Sequence, residues 1–140
     1  MIDEDRTLMT EPAAYNGTLY HAIGGEAGVR ALTRRFYVLM DTLPEAAACR
    51  AIHPPSLEGS EQKLFEYLSG WLGGPPLFTD KHGPPMLRRR HMSARIGAIE
   101  RDEWLVCFEQ ALADTVADEA IRKQVWVPVQ KLAMHMQNED

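Results

Sequence analysis

The chain of 140 residues reads as an all-α domain, and three observations predict it. Apolar residues recur at spacings of three and four over several long windows, the signature of amphipathic helices. Sustained apolar–polar alternation and Asn-Gly hairpin signals are missing, as are internal repeats. Clusters of glycine and proline divide the chain at intervals that suit helices and short connections.

Residues 1–18 carry Asp3, Glu4, Asp5, Pro12 and Gly17 with little periodicity and are read as an N-terminal extension; residues 19–140 form the domain. Leu19 to Ile23 predicts a short helical piece stopped by Gly24-Gly25, residues that tolerate left-handed dihedrals. From Ala27 to Met40, Val29, Leu32, Phe36 and Leu39 define one apolar face, with Arg30, Arg34 and Arg35 on the wetter sides. Thr42 is the expected N-cap of a short helix running to Ile52, which His53-Pro54-Pro55 must end because a residue before proline is pushed out of the helical region. Ser56 is the expected cap of the next helix. Its stripe is Leu57, Ser60, Leu64, Tyr67, Leu68 and Trp71, closed by Gly73-Gly74-Pro75-Pro76. Gly83-Pro84-Pro85 leads into a short helix from Met86 to His91. Beyond a break near Gly97 comes the strongest pattern, Trp104, Cys107, Phe108, Ala111 and Leu112. The last helix is predicted from about Glu119 to Met136, with Pro128 expected to kink or divide it.

Composition narrows the function. The length suits one domain able to bury about 70% of its unfolded surface without metal or disulfide support. An apolar share of 45%, a charged share of 25% and a net charge of −5 exclude a disordered chain. The acidic balance argues against nucleic-acid partners, which need clustered basic residues. No apolar run is long enough for a membrane span. The start Met1-Ile2-Asp3-Glu4-Asp5-Arg6 is unlike a secretory signal, and Cys49 and Cys107 read as two separate thiols in a reducing compartment, so a cytoplasmic location is expected.

Dinucleotide and nucleotide-phosphate loops, HExxH zinc sites and nucleophile elbows are absent. No Glu has a His three residues later, which removes the di-iron four-helix pattern. Cys49 and His53 share a helical face at a spacing of four, but with no second pair and Pro54 adjacent they read as coincidence. Spacing does not choose among His21, His53, His82, His91 and His135. His91 differs in its surroundings: it ends the run Arg88-Arg89-Arg90, so it is either part of a solvated cationic face or a metal ligand beside cations that can pair with ligand carboxylates.

These fragments together resemble the group II bacterial truncated haemoglobins. The resemblance covers about residues 19–138. It rests on Tyr20-His21-Ala22-Ile23-Gly24-Gly25, Arg35-Phe36-Tyr37, Gly70-Trp71-Leu72-Gly73-Gly74-Pro75, His82 through His91, and Glu100-Arg101-Asp102-Glu103-Trp104-Leu105. It implies a two-over-two helical sandwich around one haem b, with His91 matching the proximal histidine that ligates the iron. Tyr37 matches the distal tyrosine and Trp104 the tryptophan of groups II and III. His53 falls where the family carries a Tyr or His, and Ser60, Leu64 and Tyr67 match distal-helix positions facing the haem. The chain departs at Met92-Ser93-Ala94, where the family usually has x-Pro-Phe, so a rigid turn and a haem-contacting ring are lost.

A neutral imidazole leaves the sixth iron position open for O2, CO or NO. Tyr37 and Trp104 suit hydrogen-bond donation to such a ligand, with His53 expected as a third donor. Donors of this kind, worth roughly 1–3 kcal/mol each in a dry pocket, make oxygen leave slowly. Ser60 is too short to bar ligand entry. Leu64, Leu68 and Trp71, facing Phe36, Phe108 and Leu112, are the expected dry walls, and Arg90, with Arg88, is the expected partner of the haem propionates. Three functions follow: reversible binding of diatomic gases; turnover as a nitric oxide dioxygenase or peroxidase-like enzyme supplied by an external reductase; or a vestigial helical interaction module without haem. A monomer or weak homodimer is expected.

Overall fold

The computed structural model describes residues 17–139. The extension expected over residues 1–18 lies outside the described residues except for Gly17 and Thr18. The helices are α1 (Leu19–Ala22), α2 (Gly25–Thr42), α3 (Ala47–Ala51), α4 (Glu58–Trp71), α5 (Leu77–His82), α6 (Leu87–Arg90), α7 (Ala98–Thr115) and α8 (Glu119–Met136), with a 3-10 turn at Pro44–Ala46 before α3. Among the described residues there is no strand. The all-α expectation therefore holds, as a two-over-two sandwich. α2 packs most extensively on α7; α4 lies against α2, and α8 against α7.

The apolar faces explain that arrangement. Val29, Leu32, Phe36 and Met40 of α2 are fully buried with Leu68 of α4, Phe108 and Leu112 of α7, and Val125 and Val129 of α8. Burial of this kind stabilises by about 1.5–3 kcal/mol per large side chain. The separate motif fragments at Tyr20 and Gly73-Gly74 meet here. The Tyr20 amide donates to the Leu72 carbonyl at 2.9 Å. A Cβ on Gly74 would lie 2.4 Å from the Tyr20 ring, so only glycine lets α1 dock on the end of α4.

Several local expectations are corrected. Thr42 does not cap α3: it is the last residue of α2, and its hydroxyl donates back to the Val38 carbonyl at 2.7 Å. Pro44 dictates this, because it forces Leu43 into an extended conformation (φ −77°, ψ 125°) and opens a 3-10 turn of its own. Leu57, not Ser56, occupies the N-cap of α4, although the Ser56 hydroxyl accepts the Glu58 amide at 3.4 Å. α6 is shorter than Met86–His91, being flanked by Met86 at φ 42° and by His91 as its C-cap. Pro128 does not divide α8, which runs unbroken through it. It sits on the exposed side, where water can hydrate the carbonyl it leaves unpaired.

Candidate functional site

One wall of the site is an aromatic cluster. The fully buried ring of Phe36 meets Tyr37 edge-on at 4.8 Å, Trp104 at 5.0 Å and Phe108 at 5.8 Å between centroids. Trp104 in turn stacks on Phe108 at 5.2 Å and 16°. Tyr37 and Trp104, on different helices, are thus oriented through a shared neighbour. Tyr37 is buried, yet its hydroxyl has no hydrogen-bond partner among the described residues. The indole N–H of Trp104, half-buried, has none either. Burial, then the charges of Cys49 and Glu61, push the Tyr37 phenol well above its ordinary pKa, so it stays a neutral donor. An unpaired buried hydroxyl costs about 1–3 kcal/mol and marks a place where a ligand atom is expected.

His53 follows α3, with its ring 6.0 Å from that of Tyr37. Its Nδ1 is 2.9 Å from the Cys49 carbonyl oxygen. A carbonyl only accepts, so Nδ1 carries the proton and Nε2 presents a lone pair. Burial chiefly, and the charges of Arg50 and His91, lower its pKa against the opposing bond to Cys49, which keeps the ring neutral at pH 7. His53 is therefore an acceptor at Nε2, not the third donor expected. Glu103 fixes this corner: its carboxylate accepts the Cys49 amide at 2.8 Å and ties α3 to α7 beside Trp104. The two thiols are not available as anions. Burial, then Cys107 and nearby glutamates, raises Cys49 to about 12; burial, then Glu103 and Glu45, raises Cys107 to about 11.

α4 supplies the second wall. Ser60, Leu64, Tyr67 and Trp71 form a half-buried stripe, Tyr67 standing edge-on to Phe78 at 6.2 Å. Leu68 belongs to the face behind it, fully buried against α2 with Phe65. The expected wall of Leu64, Leu68 and Trp71 is accordingly Leu64, Tyr67 and Trp71, with Leu68 as backing. Phe36, Phe108 and Leu112 are likewise fully buried and support the wall from within the core.

His91, the expected iron ligand, is the C-cap of α6. His91 is exposed, and its Nδ1–H donates to the Leu87 carbonyl at 2.7 Å, one turn earlier. That bond selects one tautomer and leaves Nε2 as the uncommitted nitrogen. Arg90 donates to the carbonyls of Pro85, His82 and Pro84 at 2.7, 3.0 and 3.2 Å, with its guanidinium 5.2 Å over the Phe78 ring. Arg88 donates to the carbonyls of His135 and Gln137. Both cations are engaged in bracing the loops around α6. Sequence reasoning missed Glu103, although it directly precedes Trp104 in a quoted motif. It also missed His82, whose Nε2–H donates to the buried Glu66 carboxylate at 2.9 Å and joins α5 to α4.

A separate surface depression of about 400 Å³ lies on another face of α4, lined by Arg30, Gln62, Glu66 and Lys81 among others. Its polar groups satisfy one another, Arg30 bonding Gln62 and Lys81 bonding Glu66.

Residues 18–138 match the bacterial-like globin family. The group 2 truncated hemoglobin YjbI of Bacillus subtilis (strain 168) is 34% identical over 120 residues, covering 86% of this chain and 88% of that protein. The chain belongs to the group II truncated haemoglobins. Two solved structures show how closely the fold is shared. The group II 2-on-2 hemoglobin of the plant pathogen Agrobacterium tumefaciens superposes with a TM-score of 0.88 at 60% identity, covering 92% of this chain and all of that one. The cold-adapted truncated hemoglobin of the Antarctic marine bacterium Pseudoalteromonas haloplanktis TAC125 gives 0.85 at 43% identity, covering 88% and 99%. Truncated haemoglobins bind haem and, through it, diatomic gases. The residues of this chain fit such a group: a half-buried apolar stripe, an imidazole with one free nitrogen, and a buried phenol lacking a partner. No helix among the described residues is long and apolar enough to cross a membrane.

Proposed function

We propose that this truncated haemoglobin holds haem b through His91 and reversibly binds O2, CO and NO, with Tyr37 and Trp104 as the hydrogen-bond donors to the ligand. The observation that carries the reading is the His91 Nδ1–H bond to the Leu87 carbonyl, because it presents Nε2 with its lone pair free. Haem, held by His91, would supply the iron that binds the gas. Leu64, Tyr67 and Trp71 line the pocket with apolar surface, and Ser60 leaves its entrance unblocked. The Tyr37 hydroxyl and the Trp104 indole, each without a partner in the protein, donate to a polarised diatomic ligand. Because both donors are held by Phe36 and Phe108, no reorganisation is needed when a ligand arrives, and oxygen is retained. Arg90 acts here chiefly as a brace of the α5–α6 loop, leaving only its second Nη free for a propionate.

Absorption spectra of the haem-loaded protein test this. Reduction and then carbon monoxide should each shift a sharp Soret band, and His91→Ala should lose the five-coordinate ferrous spectrum and shed haem. A spectrum unchanged in His91→Ala would sink the ligand assignment.

A second reading, peroxidase-like turnover, draws on His53. A neutral imidazole with Nδ1 committed and Nε2 bare can accept a proton from a peroxide held in the pocket. Steady oxidation of a phenolic donor by peroxide, abolished in His53→Ala, is its expected signature; turnover that His53→Ala leaves intact rules it out.

A further inference from the structure

The helix that His91 caps is not anchored in the core. α6 has four residues and none is buried; Met92, Ser93 and Arg95 beyond it are exposed, and no proline stiffens that segment. With only Leu87 half-buried in α6, polar contacts must do much to set where His91 stands.

The chain after α8 does this. Asn138 reaches back to the segment following His91 with both ends of its side-chain amide. Its side-chain amide donates to the Ala94 carbonyl at 2.9 Å and the His91 carbonyl at 3.3 Å, and its Oδ1 accepts the Ile96 amide at 3.0 Å. Only one orientation of the amide satisfies all three, so the donor and acceptor ends are assigned by the contacts themselves. The backbone amides of Asn138 and Glu139 both donate to the Ile96 carbonyl, at 2.9 and 3.0 Å. On the near side of α6, the Arg88 guanidinium donates to the carbonyls of Gln137 at 2.6 Å and His135 at 3.1 Å. Arg101 of α7 fixes the strap by donating to the Gln137 side chain at 2.7 Å. The tail therefore grips the histidine's segment on both sides of His91.

We propose that Asn138 is a positioning residue for the iron ligand: the C-terminal strap, not the core, sets the stance of His91. This rests on His91 being the ligand. The strap takes over the stiffening that a proline after the histidine would provide.

The haem-loaded protein is compared with Asn138→Ala, which removes all three side-chain bonds, and Asn138→Asp. The aspartate is isosteric and keeps the acceptor for Ile96, but it sets a carboxylate against two carbonyls. Deuterium exchange at the Ala94 amide reads the clamp. The iron–histidine stretching band of the deoxygenated ferrous protein reads the stance of His91. Transfer of haem to excess apomyoglobin reads its consequence. Both variants should exchange at Ala94 and lose haem at least roughly tenfold faster, and should shift or broaden the band. An Asp variant behaving like the parent would show that only bulk matters and overturn the proposal. Unaltered exchange overturns the clamp, and faster exchange with an unmoved band overturns its positioning role. A parent band that survives His91→Ala overturns the ligand assignment, and the clamp's role with it; a band lost in His91→Ala but unmoved by either Asn138 variant overturns the clamp alone.

Discussion

The two sides of the proposed haem site are built on opposite principles. The distal side is an extension of the core: Tyr37 and Trp104 lean on Phe36 and Phe108, both fully buried between α2 and α7. The proximal side has no buried residue in α6 and is held by hydrogen bonds from loops and the chain end. Tyr37 and Trp104, the proposed distal donors, are thus fixed by core packing rather than by any cofactor. His91 stands on a scaffold whose bonds compete with water. On the proposed reading, ligand discrimination falls to the packed wall and the stance of the iron ligand to the hydrogen-bonded one.

The comparison is broken most sharply at Phe36. Phe36→Ala should cost about 3–5 kcal/mol in denaturant unfolding of the haem-free protein, because a large cavity opens under both distal donors. Leu87→Ala, at the one half-buried residue of α6, should cost well under half of that. Equal losses at the two positions would mean that α6 is core after all.

Glu66 shows polar anchoring at its strongest, and it acts through pH. Burial alone would raise its pKa. Hydrogen bonds from Gln62, Lys81 and His82, with the Lys81 charge, outweigh burial and lower it from 4.5 to about 2. A group depressed on folding stabilises above its unfolded pKa, and the gain is lost as pH falls from near 4.5 through about 2. The loss should amount to about 3 kcal/mol at most. Urea midpoints between pH 5 and 2 should fall steeply in the parent. Glu66→Gln should be less stable at pH 5 and follow a flatter curve; the same steep fall in that variant would assign the acid transition to other carboxylates.

What sequence can show follows the same division. The helices with two-sided periodicity were legible, and α8 spans the residues its pattern predicts, from Glu119 to Met136. Tyr37 and Trp104 lie on apolar faces within motifs whose order and spacing are specific, and the structure brings both rings to Phe36. The polarity of His53 was not legible, since it depends on the Cys49 carbonyl that its ring meets and only the fold supplies that contact. Leu64 and Leu68 differ by one helical turn and share an apolar character, so only packing against α2 separates wall from backing. At Thr42 the rule for residues before proline overrode the capping preference. Asn138 sits in an aperiodic tail, where its partners in residues 91–96 leave no local signal.

The smallest expected effect separates the two donors from the structure that holds them. Trp104→Phe keeps most of the ring bulk and should speed oxygen dissociation about tenfold, the effect of one hydrogen bond of about 1.4 kcal/mol. Tyr37→Phe should speed it comparably, yet its effect on folding should be opposite in sign. The Tyr37 hydroxyl is buried without a partner, so removing it relieves an unsatisfied group, and the haem-free protein should be unchanged or stabler by up to about 1 kcal/mol. Stopped-flow oxygen release and denaturant unfolding, measured on the same variant, decide this. A Tyr37→Phe protein that both binds oxygen as before and unfolds more easily would make the phenol a structural group, and the distal wall would then be no more specialised than the rest of the core. Faster release at undiminished stability identifies a residue kept at a cost to the fold for the sake of its ligand.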